Sequence, residues 1–131
     1  MKKLLLLVCV SLIGLVSYSQ KFTFSKGNIP NGKINSAKTF EDFLIERIKV
    51  IDDKGIEYSF ISAKFTEKTS DGITISFTLT NTAFPEDKRG DIARASVKGT
   101  TYTFSNVVVK DSNGKQYIIP SMKYEFVGFG G

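Results

Sequence analysis

Asp-Gly and Asn-Gly turn signals recur between short runs of β-branched and aromatic residues, and that punctuation restricts the chain to a sheet of short strands. Ser70-Asp71-Gly72 and Asp111-Ser112-Asn113-Gly114 carry such pairs, and Asp52-Asp53-Lys54-Gly55 is a further turn between two such runs. After Gly72, Ile73, Ile75, Phe77 and Leu79 alternate with Thr74, Ser76, Thr78 and Thr80. A period of two puts the apolar set on one face and the hydroxyls on the other, so this strand predicts a sheet with one wet side. Residues 21–24 alternate as a short first strand, and residues 100–109 form another with Tyr102, Phe104 and Val108 on one side. Residues 116–119 and 122–127 are two more strands, separated by Pro120. Along 56–66 the apolar phase shifts from Tyr58 and Phe60 to Ile61, Ala63 and Phe65, which predicts a bulge or burial on both faces. The expected fold class is therefore all-β: an immunoglobulin-like antiparallel β-sandwich of about seven strands with one short helix. Neither an internal repeat nor a low-complexity tract is legible.

Two stretches carry helical signals. Phe40, Phe43, Leu44, Ile48 and Ile51 have helical spacing, with Thr39 and Asp42 as a possible cap. The β-branched Ile45, Ile48, Val50 and Ile51 argue the other way, and favour a strand over 44–51 after a helical turn at 39–43. Residues 91–98 read as the short helix, with Asp91 near its start and Gly99 as its stop, after a charged loop at 84–90. Residues 27–32 concentrate Gly, Asn and Pro and read as a loop.

The N-terminus has a different grammar. Lys2 and Lys3 precede thirteen mostly apolar residues, Leu4 to Val16, followed by Ser17-Tyr18-Ser19. That order is the signature of a secretory signal peptide over 1–19, with cleavage between Ser19 and Gln20. The apolar run is shorter than the roughly 20 residues a bilayer span needs, so no retained membrane helix is expected. Cys9 lies inside the run after Val8, which does not match a lipid-attachment signal. The mature chain, 20–131, is then one domain of 112 residues, long enough for its own core. It has no cysteine, histidine or tryptophan, hence no disulfide-linked partner. Removing Lys2 and Lys3 from 18 basic residues leaves 16 against 13 acidic, a net charge of +3. Those charges are interspersed, so a nucleic-acid groove is not expected.

Catalytic chemistry has few possible carriers. Without imidazole or thiol, the common nucleophile–base pairs and zinc or haem ligand sets are missing from the mature chain, and no cofactor is expected. The adjacent acidic pairs Asp52/Asp53 and Glu86/Asp87 sit in charged, turn-like surroundings rather than in a glycosidase-like arrangement. Asp111 to Gly114 resembles the opening of a calcium loop, but Met122 stands where the distal glutamate is required, so a hairpin turn is expected. Arg89-Gly90-Asp91 spells an adhesion tripeptide that a loop and helix start account for equally. Tyr58, Tyr102, Tyr117 and Tyr124 are expected mainly in core and girdle positions, the other reading being an exposed face that recruits a partner. The chain is expected not to be an enzyme.

Residues 91–107 (DIARASVKGTTYTFSNV) followed by 111–120 (DSNGKQYIIP) resemble the C-terminal domain of the gliding-motility protein family GldM, with its helix, its Gly-Thr step into a strand and its Asn-Gly type turn. Residues 57–65 resemble that family's aromatic and Ser-Phe strand. The resemblance is close over 90–120 and looser over 40–127. It implies an immunoglobulin-like domain of the type IX secretion and gliding machinery, whose partner is an outer-membrane-associated ring. The expected departures are the absence of a retained membrane helix and of the long upstream domains, so the likeness passes on a fold and a binding role rather than motor work.

The expected function is that of an exported, non-catalytic binding or structural domain acting on envelope proteins, with secretion-ring components as candidates. Sheet-edge pairing or the segment 84–98 would mediate contact, and Lys88, Arg89, Arg94 and Lys98 are the candidate partner-binding residues. The alternative is a module binding envelope glycan or polysaccharide. Four residues follow Val127, too few for a C-terminal sorting domain, so the periplasm is expected over the cell surface.

Overall fold

A computed structural model describes residues 21–129. The proposed signal segment and its Ser19/Gln20 cleavage site lie outside the described residues. The elements in chain order are β1 (Phe22–Lys26), β2 (Lys33–Ile34), α1 (Ala37–Ile45), β3 (Ile48–Asp52), β4 (Glu57–Lys68), β5 (Thr74–Leu79), α2 (Glu86–Ala95), β6 (Thr101–Lys110), β7 (Gln116–Ile119) and β8 (Met122–Phe126), with a 3-10 turn at Pro30–Gly32 between the first two strands. The protein is mostly β, as expected, but with eight strands and two α-helices among the described residues, where about seven strands and one helix were expected.

The long strands β4 and β6 pair antiparallel and form the spine of a single curled sheet. One edge of β4 takes β3 at Tyr58 and then β5 from Ala63 to Lys68. The free edge of β6 takes β8 at Thr101 to Phe104 and β7 at Val107 to Lys110. Each spine strand thus serves two half-sheets in succession. The change-over is made by two irregularities. Phe60 and Ser62 face Val109 and Val108, so β4 has one extra residue there. Ser62 and Lys64 face Val108 and Ser105, so β6 then has one extra, and the register is restored. Bulges bend and twist a strand, which lets the halves face each other across a common core. Phe24 of β1 accordingly lies 5.0 Å from Phe104 of β6, ring centre to ring centre.

The bulge in β6 is at Asn106, whose φ of 50° is in the left-handed region that asparagine tolerates better than most residues. It shifts the phase. Tyr102 and Phe104 are buried before it, and Val107 and Val109 after it. The expectation that Val108 shares a side with Tyr102 and Phe104 is therefore corrected. In β4 the expected phase shift is present, with Tyr58 buried on one side of the bulge and Ala63 and Phe65 on the other.

The 39–51 segment is also corrected. A helix covers Ala37–Ile45, and the strand begins only at Ile48. Ser36 caps the helix: its hydroxyl accepts from the Thr39 amide at 3.1 Å, and the Thr39 hydroxyl accepts from the Ser36 amide at 3.0 Å. This reciprocal cap satisfies two otherwise orphaned donors and typically contributes about 1 kcal/mol. The propensity of Ile45 is outweighed because Phe40, Phe43 and Leu44 share one helical face against the sheet. Phe43 is fully buried, 4.8 Å from Tyr102 and 5.1 Å from Tyr124, and Phe40 stacks on Phe126 at 5.3 Å. All four tyrosines in question, Tyr58, Tyr102, Tyr117 and Tyr124, are buried. Gly32 is needed where β2 meets β8: its φ is 69°, and a Cβ there would stand 2.9 Å from the Lys123 carbonyl oxygen.

A local repeat emerges that was not legible as one. Asp52, Gly55 and Tyr58 match Asp111, Gly114 and Tyr117 in spacing and in structure. In each hairpin the aspartate Oδ1 accepts two backbone amides at 2.9 Å, and Oδ2 lies 3.3–3.4 Å from the tyrosine hydroxyl. The two tyrosine rings meet 5.4 Å apart. Asp111 therefore serves as a turn residue, and its Oδ1 is occupied by the Asn113 and Lys115 amides. The carboxyl of Asp52 is held below its usual range, chiefly by the Ile56 amide.

Candidate functional site

The expected contact segment is helix for more of its length than its sequence suggests. The loop 84–90 is largely the first half of α2, which starts at Glu86 after Pro85 and ends at Ala95 rather than running over 91–98. Proline fits just before a helix because its missing amide donor is not needed there, and Glu86 and Asp87 sit favourably at the positive end of the helix dipole. Ile92 is the buried anchor of α2. At 100° per residue, Lys88 and Arg89 flank Ile92 on its two sides, while Arg94 points away from the sheet.

The four candidate partner-binding residues therefore diverge. Lys88 lies over the Phe77 ring of β5, 5.4 Å from its centre. Arg89 is close enough to the buried Lys26 to oppose its charge. Arg94 pairs with Asp91 at 2.5 Å. Lys98 is exposed beyond the helix, and its carbonyl accepts from the Ser70 hydroxyl at 2.8 Å. Within Glu86–Ala95 three basic residues meet three acidic ones, so the helix is neutral overall. A concentrated basic patch is not formed.

The free edge of β5 was foreseen only as a general possibility. Among the described residues β5 pairs with β4 alone, and its six residues, Thr-Ile-Ser-Phe-Thr-Leu, include neither charge nor proline. Thr74, Ser76 and Thr78 are exposed, and Ile73 just before the strand is 48 % exposed. Behind this edge, Ser62, Lys64, Ser76, Thr78 and Asn106 line most of an open depression of about 460 Å³. The other outer strands are blunted: β2 has two residues, β7 has four and runs into Pro120, and β1 carries Lys26. Charges, proline and short length are the usual protections of a sheet edge, and β5 has none of them.

Two buried ionisable groups escaped the sequence reading. Lys26 is fully buried at the end of β1, where its ammonium donates to the Glu46 carbonyl at 2.5 Å and lies 4.2 Å from the centre of the Phe84 ring. Glu46 is the C-cap of α1, so the ammonium meets the negative end of that helix. Burial nonetheless brings its pKa down to about 7, against the pull of the Glu46 charge. Glu67 is fully buried in β4, with Oε2 2.9 Å from the Ser96 hydroxyl oxygen and Oε1 without a partner among the described residues. Burial raises its pKa to about 7. Both residues sit in phase with buried neighbours, Lys26 with Phe24 and Glu67 with Ala63 and Phe65, and that phase was the available signal.

Among the described residues, no group of three or more acidic side chains is placed to hold a metal ion, and no helix is long and apolar enough to cross a membrane. The one cysteine of the chain, Cys9, has no other to form a disulfide with. The chain matches no protein-family model and no curated protein.

Proposed function

We propose that this is an exported, non-catalytic binding domain of the cell envelope, acting by protein–protein contact through the outer edge of β5 and the adjoining face of α2. The observation that carries this reading is the six-residue, uncharged, unpaired edge of β5. An extended segment of a partner can add to such an edge by main-chain hydrogen bonding, with alternate side chains entering the depression behind it. Lys88 over Phe77 joins helix and edge into one continuous surface. The likeness to GldM C-terminal domains supports the setting: an immunoglobulin-like variant of the curled sheet, in the periplasm after loss of residues 1–19, with a component of the type IX secretion or gliding ring as partner.

Retention of envelope proteins on the immobilised domain tests this, with a Thr74→Lys/Thr78→Lys variant and a glycan array alongside. Both threonines are exposed, so the variant should keep its melting temperature while retention of ring components falls by about tenfold or more. Glycan binding without protein retention, or retention indifferent to the edge lysines, would overturn the proposal.

A further inference from the structure

At the C-terminal end of α2 a single hydroxyl oxygen makes three short contacts. Ser96 Oγ lies 2.7 Å from the Ile92 carbonyl, 2.6 Å from the Tyr102 hydroxyl and 2.9 Å from Glu67 Oε2. Each contact needs a proton between its oxygens, since two lone-pair oxygens at such distances repel. Ser96 brings one proton and Tyr102 brings another, while the Ile92 carbonyl brings none. A neutral Glu67 supplies the third, whereas an ionised one would leave the single Ser96 proton shared between two acceptors. With the neutral acid, Ser96 donates to Ile92 and accepts from both Tyr102 and Glu67, the full capacity of a hydroxyl.

The surroundings agree. Among the described residues Glu67 Oε1 is buried without a partner, which is costly for a carboxylate and far cheaper for a neutral acid. The groups facing Glu67 are Ser96 beside α2, Tyr102 directly opposite on β6 and the apolar Ile75 opposite on β5. None is a cation, and among the described residues no ion pair includes Glu67. Ile92 belongs to the last turn of α2, so an anion there would also face the negative end of the helix.

We propose that Glu67 is a protonated latch: as the neutral acid it ties the end of α2 to the β4–β6 spine through Ser96, and on losing its proton it releases that end. Ionised Glu67 takes the Ser96 proton for itself and leaves the Ile92 and Ser96 oxygens in contact with no hydrogen between them. The repulsion falls on the last turn of α2 and the Ser96–Thr100 connection into β6. The raised acidity range of Glu67 places the release near neutral pH. The latch does not depend on α2 being a contact surface.

Carboxyl-carbon NMR of the protein labelled at glutamate, with Glu67→Gln for assignment, reads the protonation state directly. Amide hydrogen exchange at Ser96, whose N–H bonds the Ile92 carbonyl, reads the release. Glu67 should titrate well above the exposed glutamates. Ser96 protection, corrected for the intrinsic rate, should fall by about tenfold between about pH 6 and about pH 8. In Glu67→Gln the amide donates to Ser96 at every pH, so protection should stay level. A Glu67 that titrates with the exposed carboxylates would overturn the latch. So would wild-type protection as level as that of the variant. If the glutamine variant does not fold, the wild-type titration and exchange still decide.

Discussion

Glu67 and Lys26 are buried ionisable residues whose stability contributions run in opposite directions with pH. Glu67, raised from 4.5 to about 7, contributes fully below about pH 4.5 and loses that contribution as pH rises through about 7. Lys26, lowered from 10.5 to about 7, contributes fully above about pH 10.5 and loses it as pH falls through about 7. The two windows meet, so their joint contribution is smallest near neutrality. Urea unfolding at pH 5, 7 and 9 checks this against Glu67→Gln and Lys26→Met. The stability difference from the glutamine variant should change by roughly 1–3 kcal/mol between pH 5 and 7, and that from the methionine variant between pH 7 and 9. Tyr102 shares the Glu67 site, and its hydroxyl is pushed well above the usual range by burial. Tyr124, also buried, is raised to about 12. Neither residue titrates in this window.

The spine strands depend on paired irregularities, and Asn106 is the residue with a specific backbone demand. Its φ of 50° costs little for asparagine, less for glycine and most for a β-branched side chain. Asn106→Gly should unfold within about 0.5 kcal/mol of wild type, and Asn106→Val should lose about 1–3 kcal/mol. Chemical denaturation of the two variants measures the difference, and equal losses would show that the bulge tolerates another geometry. At this scale the sequence was partly legible. The phase change in β4 is visible in its apolar pattern. That in β6 was misread, because Val107, Val108 and Val109 are all apolar and only Asn106 marks the shift. The α1 boundary was misread for a related reason: a Ser-Thr cap and a three-residue apolar face outweighed local β propensity.

Across the molecule, the two half-sheets share one aromatic core, and Phe104 lies at its centre. Its ring contacts those of Phe24, Phe43, Phe65, Phe84 and Tyr124, from three other strands, helix α1 and the segment before α2. Phe104→Ala should therefore cost about 3–5 kcal/mol and lower the stability of the whole sheet together. Tyrosine fluorescence and far-ultraviolet circular dichroism should report a single, coincident transition in wild type and variant. Separate transitions would show that the halves unfold independently.

Turn residues and period-two alternation were enough to establish from sequence a β-rich chain with hairpins at residues 52–55, 70–72 and 111–114, because those signals act through neighbouring backbone dihedrals. The candidate site was less legible. Lys88, Arg89, Arg94 and Lys98 are neighbours in sequence, yet helix geometry and an ion pair separate them. The open β5 edge follows from which strands pair. The Ser96 junction joins residues 29 positions apart in one contact and six in another. Only the tertiary structure decided these, since hydrogen-bond partners distant in the chain leave no local periodicity to read.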